Sequence, residues 1–326
     1  MTTPAIEMVD GLPIFSAIEP ASIKPAIEKA IAACKSEIDE VVASKDYSYQ
    51  NLVLRLEEAD DRLSKIFSPV SHMNSVVSSD ELREAHDACL PLLSEYGTWV
   101  GQHEGLYNAY ASLKASDEFA TLSEEQQKVI ENAVRDFTLS GVALPAEQKK
   151  RFAEIQAKLS ELSSTFSNNV MDATMGWTKH ITDEAELAGM PESALEAAAQ
   201  AAHQKDLQGW LFTLDIPSYL PVMLYADNRE LREEMYRAYA TKASDQGPNA
   251  GKWDNTDIIK ETLTLRTELA ELLGFSSYAE RSLATKMADS TDQVIGFLRD
   301  LAAKSKPQAE KELEEVRAYA KDKHGV

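Results

Sequence analysis

Apolar positions recur at steps of three and four along most of this chain, and the chain divides where that spacing changes. Ile23, Ile27, Ile31, Cys34, Ile38 and Val41 form one stripe of a long helix. Leu52, Leu56, Ala59, Leu63 and Ile66 repeat the pattern, with an interruption expected at Pro69. Ser79-Asp80-Glu81 reads as a helix start, where the positive end of the helix dipole favours acids. Leu82, Ala85, Cys89 and Leu92 follow, and helical spacing continues to about Leu113 with a kink expected at Pro91. Ser123 and Gln126 have the separation of a capping box, ahead of Ile130, Ala133, Val134 and Phe137, with an end near Gly141. Pro145 opens a helix striped by Phe152, Ile155, Leu159, Leu162, Phe166 and Val170. Together these segments predict an antiparallel helical bundle over residues 1–175.

The period then breaks. Residues 176–181 read as a strand, and Met190-Pro191-Glu192 starts a short Ala-rich helix running to about Lys205. Trp210, Phe212, Leu214 and Ile216 alternate with Leu211, Thr213 and Asp215, a strand that Pro217 should stop. Residues 176–216 therefore predict a small sheet with one short helix, its strand pairing and direction left open. Residues 217–326 return to helix. Pro221 suits the first turn of a helix running to Tyr239. Ile258, Ile259, Leu263, Leu265, Leu269, Leu272 and Leu273 cover so much of a helix circumference that burial is expected, with Gly274 as its cap. Ser290 and Gln293 have a second capping-box spacing, and Pro307 should restart the last helix. The fold class expected is mainly α, a bundle lobe with a small sheet.

Composition narrows the function. The 326 residues carry 33 Lys+Arg against 54 Asp+Glu, a net charge of −21, which disfavours nucleic acid and anionic membrane surfaces as partners. No apolar run is long enough to span a bilayer, and the first ten residues do not have the form of a secretory signal. Cys34 and Cys89 fall on apolar helix faces and read as buried free thiols.

Candidate chemistry is sparse. His103-Glu104-Gly-Leu-Tyr107 approaches the zinc-protease pattern His-Glu-x-x-His, which sets two imidazoles on one helix face, but the fourth step lands on Tyr107. A surface or packing His–Glu pair is the preferred reading. Gly247 to Trp253 has one residue too few between its glycines for a phosphate loop, and Trp253 where a hydroxyl is needed. His180 with Asp183 and Glu184 reads as a solvated strand face and a cap. His72, His86, His203 and His324 lack convincing partners in sequence. Trp210, Phe212, Tyr219, Tyr225, Tyr236 and Tyr239 form a dense aromatic group, either core or ligand surface. The polar loop 241–255 offers Asp245, Gln246, Asn249 and Asn255 as side chains able to bond backbone or ligand. No catalytic residue and no metal ligand is assigned.

Long runs of this chain resemble the N-terminal half of the thimet-type (M3) zinc metallopeptidases. They include Phe67-Ser-Pro-Val-Ser-His-Met-Asn74, residues 93–96 with 99–107, and Asp172-Ala-Thr-Met-Gly-Trp-Thr178. Residues 183–191, 214–222, 244–255, 272–280 and 282–287 extend the likeness across essentially the whole chain. The resemblance implies a two-lobed helical fold flanking a deep channel. Short unstructured peptides enter that channel, folded proteins are excluded, and zinc is held by His-Glu-x-x-His and a later glutamate. It also implies peptide hydrolysis in the cytoplasm, including degradation of released signal peptides.

That motif is expected beyond residue 326, in a C-terminal catalytic region, so the segment alone should neither hydrolyse peptides nor bind zinc. Residues 217–326 would lead toward that region. Loop 241–255 could position a peptide backbone through Asp245, Gln246 and Asn249, or clasp the lobes. The clasp is preferred because Gly247, Pro248 and Trp253 look architectural. The alternative function is a non-catalytic helical scaffold or peptide-binding module.

Overall fold

The computed structural model describes residues 8–9 and 12–325. Two compact units divide it, Met1–Leu265 and Arg266–Val326.

The first unit begins with a short antiparallel pair, β1 (Met8–Val9) and β2 (Leu12–Pro13). Helix α1 (Pro20–Ser44) has proline in its first turn, where no amide is needed, and ends at Lys45 in the left-handed region. Its predicted stripe, Ile23 through Val41, is buried. A π-helical turn, Tyr49–Leu54, leads into α2 (Arg55–Val76). Against the expected interruption, Pro69 lies buried inside α2. A proline forfeits one amide bond, and packing on the bundle offsets that loss. Arg55 bridges Glu37 (2.6 Å) and Glu40 (2.5 Å) of α1, and the Cys34 thiol donates to the Ala59 carbonyl at 3.3 Å.

The continuous helix expected from 82 to 113 is three helices: α3 (Asp80–Asp87), α4 (Leu90–Gly101) and α5 (Glu104–Lys114). Ser79 caps α3 by accepting from the Leu82 amide. Pro91 lies in the first turn of α4, so it starts a helix instead of bending one. The second break falls at His103, whose imidazole Nδ1 accepts the Leu106 amide and so caps α5. Helix α6 (Glu124–Leu139) carries the full capping box of Ser123 and Gln126. Helix α7 (Ala146–Met175) follows Pro145 and is 30 residues long.

Two apolar clusters lie inside this bundle. One joins Ile23, Ile27, Ile31, Cys34, Leu63, Val70 and Cys89. The other joins Ile38, Val41, Leu52, Leu106, Leu113, Ile130 and Phe137. Both cysteines are buried free thiols, and burial pushes the Cys89 thiol up to about 11.

A third cluster surrounds the small sheet. Strand β3 (Thr178–Ile181) pairs antiparallel with β4 (Trp210–Thr213) in the register Thr178↔Thr213 to Ile181↔Trp210. Between them lie a 3-10 turn, Glu184–Leu187, and α8 (Glu192–His203). Gly209, at φ +91, could take no side chain, since a Cβ there would lie 2.3 Å from the Ile181 carbonyl oxygen.

The second strand is shorter than its alternation predicts. Leu211 and Phe212 are both buried, and Ser218 Oγ accepts the Thr213 amide at 2.9 Å, which ends the pairing. Helix α9 (Ile216–Tyr225) then begins with Pro217 in its first turn, so that proline opens the helix. Pro221 sits within α9 and Ile216 is exposed, both against expectation. The helical run to Tyr239 is divided at Asn228, whose side chain caps α10 (Arg229–Ala240).

Helix α11 (Thr256–Leu272) crosses from the first unit into the second. It is not buried all round, because Ile259 and Leu263 are exposed. Gly274 follows it at φ +81, as a C-terminal cap requires. The second unit continues with α12 (Tyr278–Leu283) and the 34-residue α13 (Thr291–His324). Pro307 lies inside α13 and does not restart it. Ser290 caps α13, but Gln293 returns to the Asp289 amide at 2.7 Å, so the second capping box is displaced by one residue. No helix among the described residues is long and apolar enough to cross a membrane.

Phe212 is fully buried beneath the small sheet, whereas Leu224 on α9 is 63% exposed. Phe212→Ala should cost about 3–5 kcal/mol in denaturant unfolding. Leu224→Ala should stay within about 0.5 kcal/mol. Equal effects would show that the sheet cluster is not a core.

Candidate functional site

The polar loop 241–255 returns to the end of α7. Asn255 is the buried member of the loop's polar set, at 2% exposure. Its Nδ2 donates to the Phe166 carbonyl at 3.2 Å, and its Oδ1 accepts from Asn169 Nδ2 at 2.8 Å. Trp253 lies so close to Gly176 that a Cβ there would meet the indole at 2.1 Å. Lys242 Nζ donates to Thr174 Oγ1 at 3.1 Å and sits 4.1 Å over the Tyr239 ring. Three separate pins therefore hold the loop to the last three turns of α7.

Inside the loop the amides are consumed locally. Gly251 donates to the Ser244 carbonyl, Ala250 to Gly247, and Lys252 to Asn249. A phosphate loop would aim such amides at an anion, and Lys252 instead folds over Trp253 at 4.1 Å. Asp245 and Gln246 are exposed and Asn249 is half-buried. None of these three side chains hydrogen-bonds within the described residues.

Beside the loop, Tyr219 stacks on Tyr239 with ring centroids 4.2 Å apart. Burial lowers the Lys242 ammonium from its ordinary value, opposed by Asp215, and raises the Tyr219 phenol. The expected aromatic group thus divides: Phe212 is core, Tyr219 and Tyr239 flank a half-buried lysine, and Tyr225 and Tyr236 are exposed. Lys242 carried no motif that could have marked it. Only its place between Tyr239 and the polar loop did so.

On the same stretch of α7, Arg83 forms a two-pronged pair with Asp172 (3.1 and 2.9 Å). Asp87 accepts from His86 Nδ1, Ser164 Oγ and Asn168 Nδ2.

Four further histidines bond or pack within the structure, and His203 is exposed. His103 caps α5, and Glu104 pairs with Lys149 at 2.7 Å. His180 Nε2 lies 2.6 Å from the Gln208 carbonyl, and Asp183 caps the turn after β3. His72 lies 6.0 Å from the Phe15 ring and His324 6.2 Å from Tyr319. No group of three or more His, Cys, Asp or Glu able to hold a metal ion forms among the described residues. These residues do not fit a zinc site.

Fold and site define a mainly helical chain with a small antiparallel sheet and a polar loop pinned to the end of α7. Comparison with known proteins gives the class. Residues 27–149 match the neurolysin/thimet oligopeptidase N-terminal domain, and residues 222–326 match peptidase family M3. The chain is 61% identical over 327 residues to oligopeptidase A of Salmonella typhimurium, covering all of this chain and 48% of that protein. It is 60% identical to oligopeptidase A of Haemophilus influenzae, again over 48% of that protein. It is 26% identical to saccharolysin of Saccharomyces cerevisiae, over 90% of this chain and 40% of that one. The chain belongs to peptidase family M3, and it spans about half the length of these bacterial relatives.

Asn255→Ala removes both partners of a buried amide and should lower stability by about 1–3 kcal/mol. Asn249→Ala, half-buried and unbonded, should lower it by less than about 0.5 kcal/mol. Thermal and urea unfolding of the two variants would measure this. A neutral Asn255 variant would remove the pin from the account.

Proposed function

We propose that this chain forms part of the wall of a peptide channel in a zinc-dependent oligopeptidase. The whole protein would hydrolyse short, unstructured peptides in the cytoplasm, including those left from signal peptides. Family membership and the names of the relatives support the peptidase class. One observation carries the division of labour. His-Glu-x-x-His occurs nowhere in the 326 residues, and each histidine that approaches a carboxylate is already capping or packing.

The zinc ligands would then come from polypeptide outside these residues, and this segment would bind and orient substrate. Zinc, when bound, supplies a Lewis acid and an activated water. Two exposed apolar rows on α13, Ile295-Leu298-Leu301 and Leu313-Val316-Tyr319, support the reading that further polypeptide covers this surface.

The purified 326-residue chain should not cleave a quenched fluorescent oligopeptide in the presence of zinc. Cleavage above that of an equally purified blank would overturn the division of labour. Within the channel reading, Asp245, Gln246 and Asn249 are the loop side chains left to meet a peptide backbone, because Asn255, Trp253 and Lys242 hold the clasp. Asn249→Ala in the whole protein should raise KM several-fold at unchanged melting temperature. A lowered melting temperature at unchanged KM would assign Asn249 to the clasp instead.

A further inference from the structure

A cavity of about 300 Å³ opens between α1, α2, α4, α5 and α6, where the two apolar clusters of the bundle meet. That volume lies at the lower end of small-molecule pockets. Its walls are mostly apolar, with Ile38, Leu56, Val100, Leu106 and Phe137 on its sides. The space exists because small residues stand at its edge. A Cβ added to Gly97 would meet no atom within 4 Å.

One end is polar. The buried Tyr96 hydroxyl donates to Asp60 Oδ1 at 3.0 Å. Asp60 is exposed at the cavity mouth and has no ion-pair partner among the described residues, whereas Asp136 at the same cavity is paired with Arg135 at 2.8 Å. Tyr110 also lines the cavity. It is 9% exposed, and its hydroxyl has no hydrogen-bond partner among the described residues. Burial raises its phenol, as do the Glu57 and Asp60 charges, so the hydroxyl stays protonated. The side chain is buried, but its oxygen is not among the closed-off polar atoms, so it is free to bond a molecule in the cavity.

We propose that this cavity is a binding site for a small organic cation with an apolar body, such as an arylalkylamine. The ring or alkyl group would lie against Leu56, Leu106 and Phe137. The ammonium would donate to Asp60 and to the Tyr110 oxygen. Charge selects the sign of the ligand: a carboxylate would face Asp60 without a countercharge, in a chain of net charge −21. The site is separate from loop 241–255 and does not depend on the peptidase reading.

Calorimetric titration of the 326-residue chain with phenethylamine, 2-phenylethanol and phenylacetate tests the assignment. Phenethylamine should bind saturably, 2-phenylethanol at least tenfold more weakly, and phenylacetate not at all. Asp60→Asn should erase the amine's advantage over the alcohol. Gly97→Leu, which fills the void from a helical position, should abolish amine binding without lowering the melting temperature. Absence of saturable amine binding, or an amine affinity unchanged in Asp60→Asn, would overturn the proposal. Should Gly97→Leu fail to fold, Asp60→Asn decides alone, because it leaves the cavity volume nearly unchanged.

Discussion

One helix holds the first unit together. Helix α7 runs unbroken for 30 residues, about 45 Å at the rise of an α-helix. Its apolar face supplies energy through Phe152, Ile155 and Leu162. Its polar side chains supply position. Toward the bundle, Lys149 reaches Glu104, Ser164 and Asn168 reach Asp87, and Asp172 takes Arg83. Toward the loop, Asn169, Thr174 and Gly176 receive Asn255, Lys242 and Trp253. Apolar contacts alone would tolerate sliding of one element over another. Directional bonds from a single rod to both the bundle and the loop allow one register. The Arg83 guanidinium shows what such fixing costs: Asp172 takes both of its terminal nitrogens, and its buried Nε has no partner in the described structure.

The bundle was legible because its signal is redundant. The stripe of α1 was read from Ile23 to Val41, and all six of its residues are buried. Caps were legible for the same reason, since Ser79 and Ser123 announce themselves chemically before any packing is known. Pro145 opens a helix as its position predicts, but Pro69, Pro91, Pro217, Pro221 and Pro307 do not follow their sequence reading. A lone proline inside a helix forfeits one bond and strains one turn, and sequence alone cannot show what replaces the loss. At Pro69 the replacement is burial in the bundle. At the exposed Pro307 neighbouring carbonyls stay accessible, and Ser305 Oγ bonds back to the Leu301 carbonyl at 2.9 Å.

The short strand and the candidate site show a different limit. Trp210 to Ile216 alternates as a strand should, yet pairing ends at Thr213 because the Ser218 hydroxyl takes its amide. A hydroxyl five residues downstream competes with the ladder, and no period of two records that competition. In the loop, four polar side chains looked equivalent. Burial separated Asn255 from Asp245, Gln246 and Asn249, and burial depends on α7, which lies 80 residues and more away in the chain. Lys242 escaped notice because a lysine is ordinary until its surroundings remove its water.

That desolvation gives the proposed wall its physical sense. A peptide's backbone brings carbonyls and amides that must exchange water for protein, and a surface already hydrogen-bonded to itself offers nothing in return. In the proposed wall the loop would meet both demands by separating them. Asn255 and the amides of Gln246, Ala250, Gly251 and Lys252 are hydrogen-bonded, while the side chains of Asp245, Gln246 and Asn249 keep their hydrogen-bonding capacity uncommitted. Rigid support beneath unspent polar groups lowers the entropy lost when a flexible ligand is ordered. A loop that used the same side chains for both clasp and contact would have to break one to make the other.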